Sequence, residues 1–243
     1  MKLPLLQPGL PDSGRWKKYS FLTFGLFVVS LILAFLQAGC GLFARMSTPT
    51  RYEKEVPAEY NLAGLQGQKI LVLVKQPYWL NAKVNMRLYL TKAINKNLTN
   101  KAKVRSECLI PYEELADFRS GKSDYSLLSP RQVGAALNAD MVLLVSINDC
   151  RLEKLPEADY YKGSLSVQAY LAGTAEGEKL WPDSAESRSI RVGFEIENKG
   201  LQAAILRLAN ASAHCIVRYF YDCKLVGFKI KEDKSAPAWE YWK

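Results

Sequence analysis

From Tyr19 to Ala44 the chain carries no charged side chain, and Phe21 to Leu36 reads FLTFGLFVVSLILAFL. A stretch this long and this apolar matches the ~20 residues that a bilayer span needs. It fits poorly into a polar surface, so it sets the compartment of everything after it. Upstream, Met1 to Ser20 is polar and basic, with Arg15, Lys17 and Lys18. Downstream come Gln37, Ala38 and Gly39, directly before Cys40. A basic start, an apolar middle and a small-residue cleavage site together make an export signal, with cleavage between Gly39 and Cys40. The same residues also allow a retained single-pass helix over about 20–44, with Lys17 and Lys18 left on the cytoplasmic side. Both readings place the rest of the chain outside the cytoplasm.

Charge says less. The 243 residues hold 33 Lys and Arg against 24 Asp and Glu. Lys2, Arg15, Lys17, Lys18 and Asp12 precede Cys40, which leaves 29 basic and 23 acidic residues beyond it. An excess of this size describes a mildly basic, solvated surface. No basic stretch interleaved with aromatics marks a nucleic-acid site.

Residues 41–68 are expected to form a flexible tether. They include Pro49, Pro57, Gly64 and Gly67, with no periodic apolar pattern. The folded domain is expected over 69–225. KILVLVK (Lys69 to Lys75) is an apolar, β-branched run and predicts a buried strand. PYWLNAK follows as a loop. Val84 to Leu98 predicts a helix, because Met86, Leu90, Ile94 and Leu98 recur every four residues. Lys103 to Ile110 (KVRSECLI) is a second strand candidate. Pro111 opens a short helix to Phe118, and Ser129-Pro130 opens another, serine capping and proline filling the first helical position. MVLLVSIN (Met141 to Asn148) is a further central strand. Leu165, Val167, Ala169 and Leu171 then alternate with polar residues, as do Ile190, Val192, Phe194 and Ile196. That period predicts half-buried strands in an antiparallel pair or meander. Asn198 is expected to cap a long helix from Lys199 to about Cys223. The fold class expected is α/β: a mixed β-sheet covered by helices, with a long C-terminal helix, after an N-terminal signal or membrane segment.

Two resemblances follow from these residues. Gln37-Ala38-Gly39-Cys40 resembles a bacterial lipobox, with Gln37 where an aliphatic residue is usual. The resemblance implies that Cys40 becomes residue one, with a diacylglycerol on its sulfur and an acyl chain such as palmitate on its amine. The chain would then be a lipoprotein of the cell envelope, facing the periplasm or another extracytoplasmic space. The domain is similar to one shared by several envelope proteins: the curli-type secretion channel lipoprotein, the lipoprotein activator of penicillin-binding proteins and the N-terminal domain of the Tol–Pal translocation protein. The residues that carry it are KILVLV before a helix, AALNADMVLLVSI (Ala135 to Ile147), and VQAYLAGTAEGEKLWP (Val167 to Pro182). It implies a module that binds proteins or assembles, without catalysis. An envelope protein is the implied partner, and a homo-oligomer is an alternative.

Chemistry is sparse. His214 is the one histidine. Its neighbour Cys215 points about 100° away on a helix, so the pair does not chelate a metal, and a partly exposed helical histidine is expected. No nucleophile elbow, phosphate loop or metal-spaced cysteine pair occurs. No enzyme activity, cofactor or metal is therefore expected. Cys108, Cys150, Cys215 and Cys223 remain as disulfide candidates in an oxidising compartment. On one unbroken helix Cys215 and Cys223 would lie about 12 Å apart, too far to bridge. The pairings left each join a strand cysteine to the last helix. The tail, 226–243, ends SAPAWEYWK. Its Trp239, Tyr241 and Trp242, with Tyr78 and Trp79 after the first strand, are the candidate partner contacts, since aromatics dominate interface energetics.

Overall fold

The computed structural model describes residues 54–65, 67–81, 84–156 and 159–235. Gly39, Cys40, the apolar run before them, and Trp239, Tyr241 and Trp242 lie outside these residues. Among the described residues no helix is long and apolar enough to cross a membrane.

The elements follow in the order β1 (Glu55–Val56), β2 (Ile70–Lys75), α1 (Tyr78–Asn81), α2 (Met86–Asn100), α3 (Tyr112–Gly121), α4 (Pro130–Ala136), β3 (Met141–Lys154), β4 (Tyr161–Gly173), β5 (Lys179–Trp181), β6 (Arg188–Glu197), α5 (Gly200–Val217), β7 (Cys223–Lys224) and α6 (Leu225–Phe228). The main sheet is mixed. β2 runs parallel to β3, β3 pairs antiparallel with β4, and the far edge of β4 is shared by β5 and β6.

The two sides of the sheet explain the two sequence patterns. β2 and β3 are buried on both faces, hence their unbroken apolar runs. On one face Ile70, Val72, Val74, Leu143 and Val145 join the large core under α2 and α5. On the other, Leu71, Leu73, Val142 and Leu144 meet Leu115 of α3 and Val133 of α4. β4 and β6 bury one face only: Leu165, Val167, Ala169, Leu171, Ile190, Val192 and Phe194 point to the large core. Ser166, Gln168, Ser189 and Arg191 face the other way, half-buried or exposed. At Gly163 a Cβ would sit 2.5 Å from the Phe194 ring, so only glycine lets that ring lie across β4.

Local signals hold where capping chemistry sets them. Ser129 and Gln132 form a reciprocal capping box on α4, with Pro130 in the first turn. Asn85 accepts from Leu88 N–H and starts α2. Elsewhere the structure departs from expectation. Lys103 to Ile110 is not a strand. It is a loop with a 3-10 turn at Ser106–Cys108, and Leu109 alone bridges to Ile70. PYWLNAK is not all loop, since α1 lies within it. β3 continues six residues past Asn148, to Lys154. Asn198 does not cap α5; Lys199 holds the cap position, with no side-chain bond. The long helix α5 ends at Val217, followed by a 3-10 turn at Arg218–Phe220, and Cys223 lies in β7.

The stretch expected as tether includes structured chain. β1 pairs antiparallel with β7, Tyr60 N–H and Leu62 N–H donate to the carbonyls of Tyr219 and Phe220, and Leu62 is buried. Beyond β7 the chain forms a strap, Leu225 to Ser235, back along α5 and β6. Gly193 N–H donates to the Glu232 carbonyl, and Lys234 N–H to the Arg191 carbonyl, so the strap lengthens the sheet beside β6.

Candidate functional site

β2, β3 and β6 all point towards one end of the domain, where α2 and α5 begin. The first turns of the two helices meet through Tyr89 Oη and Gln202 Oε1, 3.4 Å apart. Here α1 is pinned from beneath. Gln76 Nε2 donates to the Val84 carbonyl, and Gln76 Oε1 accepts from Arg87 N–H, closing the loop that carries the helix. Leu80 plugs into the core. That anchoring turns the two preceding side chains outward: Tyr78 is 91% exposed and Trp79 52%. Both sequence candidates in the described chain are therefore in water, on a held loop. Topology places further exposed apolar side chains at the same end. Ile196 is near the end of β6, Leu201 in the first turn of α5, and Tyr160 in the β3–β4 turn.

The opposite end is closed. Trp181, opposite Leu171 on β4, packs its ring against Phe220 at 4.8 Å and Tyr219 at 5.5 Å. Its indole N–H donates to Glu59, which also takes Arg188. Behind this cluster Arg218 and Asp233 form an ion pair at 2.5 Å with neither side chain exposed. Arg218 also donates to the Phe228 carbonyl and lies over the Phe228 ring. Burial pushes the Asp233 carboxyl up, but the hydrogen bonds from Arg218 and Ser235 and the Arg218 charge together outweigh it, and the group ends below its ordinary value. The pair clasps the strap onto α5.

His214 belongs to this clasp, correcting the expectation of a partly exposed residue. It is buried, with Nδ1 3.3 Å from Lys101 Nζ and Nε2 3.3 Å from the Phe228 carbonyl oxygen. An ammonium only donates, so Nδ1 accepts and the proton sits on Nε2, where it donates to Phe228. Burial, then the Lys101 charge, lowers the imidazole pKa and keeps the ring neutral.

Cys108, Cys150, Cys215 and Cys223 are each buried as free thiols. Burial pushes Cys150 up to about 11 and Cys215 up to about 12, so neither is an activated nucleophile. The spacing argument against a Cys215–Cys223 bridge assumed an unbroken helix, and the helix stops between them. Among the described residues no group of three or more His, Cys, Asp or Glu side chains is placed to hold a metal. The clasp itself is not marked in the residue pattern. Arg218 and Asp233 resemble surface charges, and the one hint is an acidic pair, Glu232-Asp233, directly after the apolar-basic run GFKIK.

No protein-family model matches the chain. No curated protein matches it in sequence. Several solved structures are similar in part. The lipoprotein GNA1162 from Neisseria meningitidis is 19% identical, with 62% of this chain and 98% of that one covered and a TM-score of 0.39. The PelC dodecamer from Paraburkholderia phytofirmans is 15% identical, with 69% and 95% covered and a TM-score of 0.34. The LpoB C-terminal domain from Salmonella enterica is 19% identical, with 58% and 85% covered and a TM-score of 0.33. The first of the three is a lipoprotein by name. The likeness is partial, and the functional reading rests on this chain's own residues.

Proposed function

We propose that the chain is a bacterial cell-envelope protein, lipid-anchored through Cys40, whose α/β domain is a non-catalytic module that binds and scaffolds or regulates another envelope component. The observation that carries the binding role is the pair Tyr78 and Trp79, held outward on an anchored loop at the open end. Large aromatics left in water on a fixed support suit an interface anchor, since a rigid contact loses little entropy on binding. The anchor rests on the sequence alone: a basic start, an apolar run and Gln37 to Cys40. Two acyl chains or more would hold the protein stably at a bilayer, at roughly 0.8 kcal/mol per buried CH₂. Labelling with a fatty-acid analogue tests it. Wild type should take the label and be processed, and Cys40→Ala should do neither. Label and processed size both kept in Cys40→Ala would leave a retained helix as the better account.

The binding role is tested by placing a photo-crosslinking side chain at Trp79 in the full-length protein in cells. A discrete heterotypic adduct is expected from position 79 and none from Leu127, a still more exposed apolar residue between α3 and α4. A second reading, a structural subunit of a secretion or transport assembly, has one observation in its favour. β2 ends opposite Ser146, so β3 beyond Ile147 pairs with β4 on one side and with no described strand on the other. Such an edge suits strand addition, although Asp149, Arg151 and Glu153 along it are the charges that commonly guard edges. Light scattering of the detergent-solubilised protein separates the two: a monomer fits the binding module, and a closed ring fits the assembly.

A further inference from the structure

A cavity of about 440 Å³ opens where the strap leaves β6. Its walls are the end of β6, the start of β4, Arg207 of α5 and the strap. Its volume is within the ~300–1,000 Å³ typical of small-molecule sites. One side is apolar. Phe194 forms part of the wall, and Ile196 is 61% exposed. The other side is basic, with Lys162, Lys231 and Lys234 at its rim.

The charges do not cancel inside the cavity. Arg207 is committed: its guanidinium is 2.7 Å from Glu232 and 3.5 Å from Glu197, and it lies 4.8 Å from the Phe194 ring centroid. Among the described residues none of the three lysines has a carboxylate within ion-pair distance. Glu195 is the one other carboxylate in the lining, and Glu153 is the cross-strand neighbour of Lys162. Lys231 and Lys234 do not hang from a loose tail. The residues between them are fixed by the Arg207–Glu232 pair, by the buried Arg218–Asp233 pair and by two backbone bonds to β6. The basic rim is thus held in register with the apolar wall.

We infer that this cavity binds an anionic amphiphile, a phosphate ester whose head lies among Lys162, Lys231 and Lys234 and whose acyl part lies along Ile196 and Phe194. Three lysines lining one opening suit a phosphate, and salt should weaken the binding. The apolar wall adds affinity in proportion to the acyl surface it removes from water. The site uses neither Tyr78 nor Trp79 and shares only Ile196 with the exposed side chains of the open end, so it stands independently of the function proposed above.

The test uses full-length protein in phosphatidylcholine nanodiscs, titrated calorimetrically with short-chain dihexanoyl phosphatidic acid, with empty discs subtracted. Binding at one site is expected, at least tenfold tighter than for glycerol 3-phosphate and for dihexanoyl phosphatidylcholine. Lys231→Ala with Lys234→Ala should weaken it at least tenfold. Lys96→Ala with Lys103→Ala, the same loss of charge on and beside α2, should leave it unchanged. Ile196→Ser should reduce the preference over glycerol 3-phosphate and leave the glycerol 3-phosphate affinity unchanged. Equal weakening by both lysine pairs, or equal binding of phosphatidylcholine, would overturn the site. Equal affinity for glycerol 3-phosphate in wild type would overturn the amphiphile and assign the lysines to a free phosphate ester.

Discussion

The two ends of the domain use aromatic residues in opposite ways. At the closed end Trp181, Tyr219, Phe220 and Phe228 pack on one another, and Glu59, Arg188 and Arg218 are bonded or stacked around them. At the open end Tyr78 and Trp79 reach the surface beside a buried Leu80. Residue type is the same, but surroundings differ. The closed end covers its own aromatic rings, so they hold the fold together. The open end leaves area uncovered on a rigid support, so its aromatics are free to act on something else.

The contrast breaks first at the clasp. Asp233→Ala leaves Arg218 buried without its partner and should cost about 3–5 kcal/mol in chemical denaturation. Replacing both, Arg218→Met with Asp233→Leu, should cost clearly less, because no uncompensated charge remains. Equal losses would mean that the pair acts through packing alone. Trp181→Ala comes next, at about 3–4 kcal/mol, through a cavity and the loss of the Glu59 bond.

The clasp also gives the closed end a pH signature. The His214 pKa is lower in the folded protein than in the unfolded chain, where it is near 6.5. The unfolded state therefore binds the extra proton first, and stability falls as pH drops through about 6.5 towards the folded pKa. Asp233 acts lower. Its depressed carboxyl contributes stability above its unfolded pKa, and this is lost as pH falls through the folded value. Denaturation midpoints between pH 7.5 and 5.5 should show the slope in wild type and lose most of it in His214→Gln. A smaller effect, about 1 kcal/mol, is expected for Ser129→Ala, which removes the α4 cap.

Periodicity made most of the sheet legible in the sequence. β2, β4 and β6 stand where apolar runs or strict alternation put them, because burial on two faces or one leaves those patterns. Ser129-Pro130 was equally legible, since a cap is a local bond. The misreadings share a cause. Val104, Cys108, Leu109 and Ile110 are buried and looked like a strand, yet they line the core from a loop. Composition reports burial, and only pairing makes a strand. The end of β3 was hidden because Asp149, Arg151 and Glu153 lie on its solvent face. The strap and its clasp depend on contacts between residues distant in sequence, such as Arg218 to Asp233 across 15 residues, which no local period encodes. At the open end the residue types were visible, but their exposure was not. It follows from Leu80 and Gln76 fixing which way α1 faces.

The central claim is that the open end binds while the closed end holds the fold, and Tyr78→Ala with Trp79→Ala tests it most directly. Stability of the double variant should stay within about 0.5 kcal/mol of wild type, as for exposed positions. The heterotypic adduct formed by a crosslinker at Leu201, in the first turn of α5 at the same end, should fall at least tenfold. A variant that unfolds at markedly lower denaturant, or one that keeps the adduct at wild-type yield, would contradict the account.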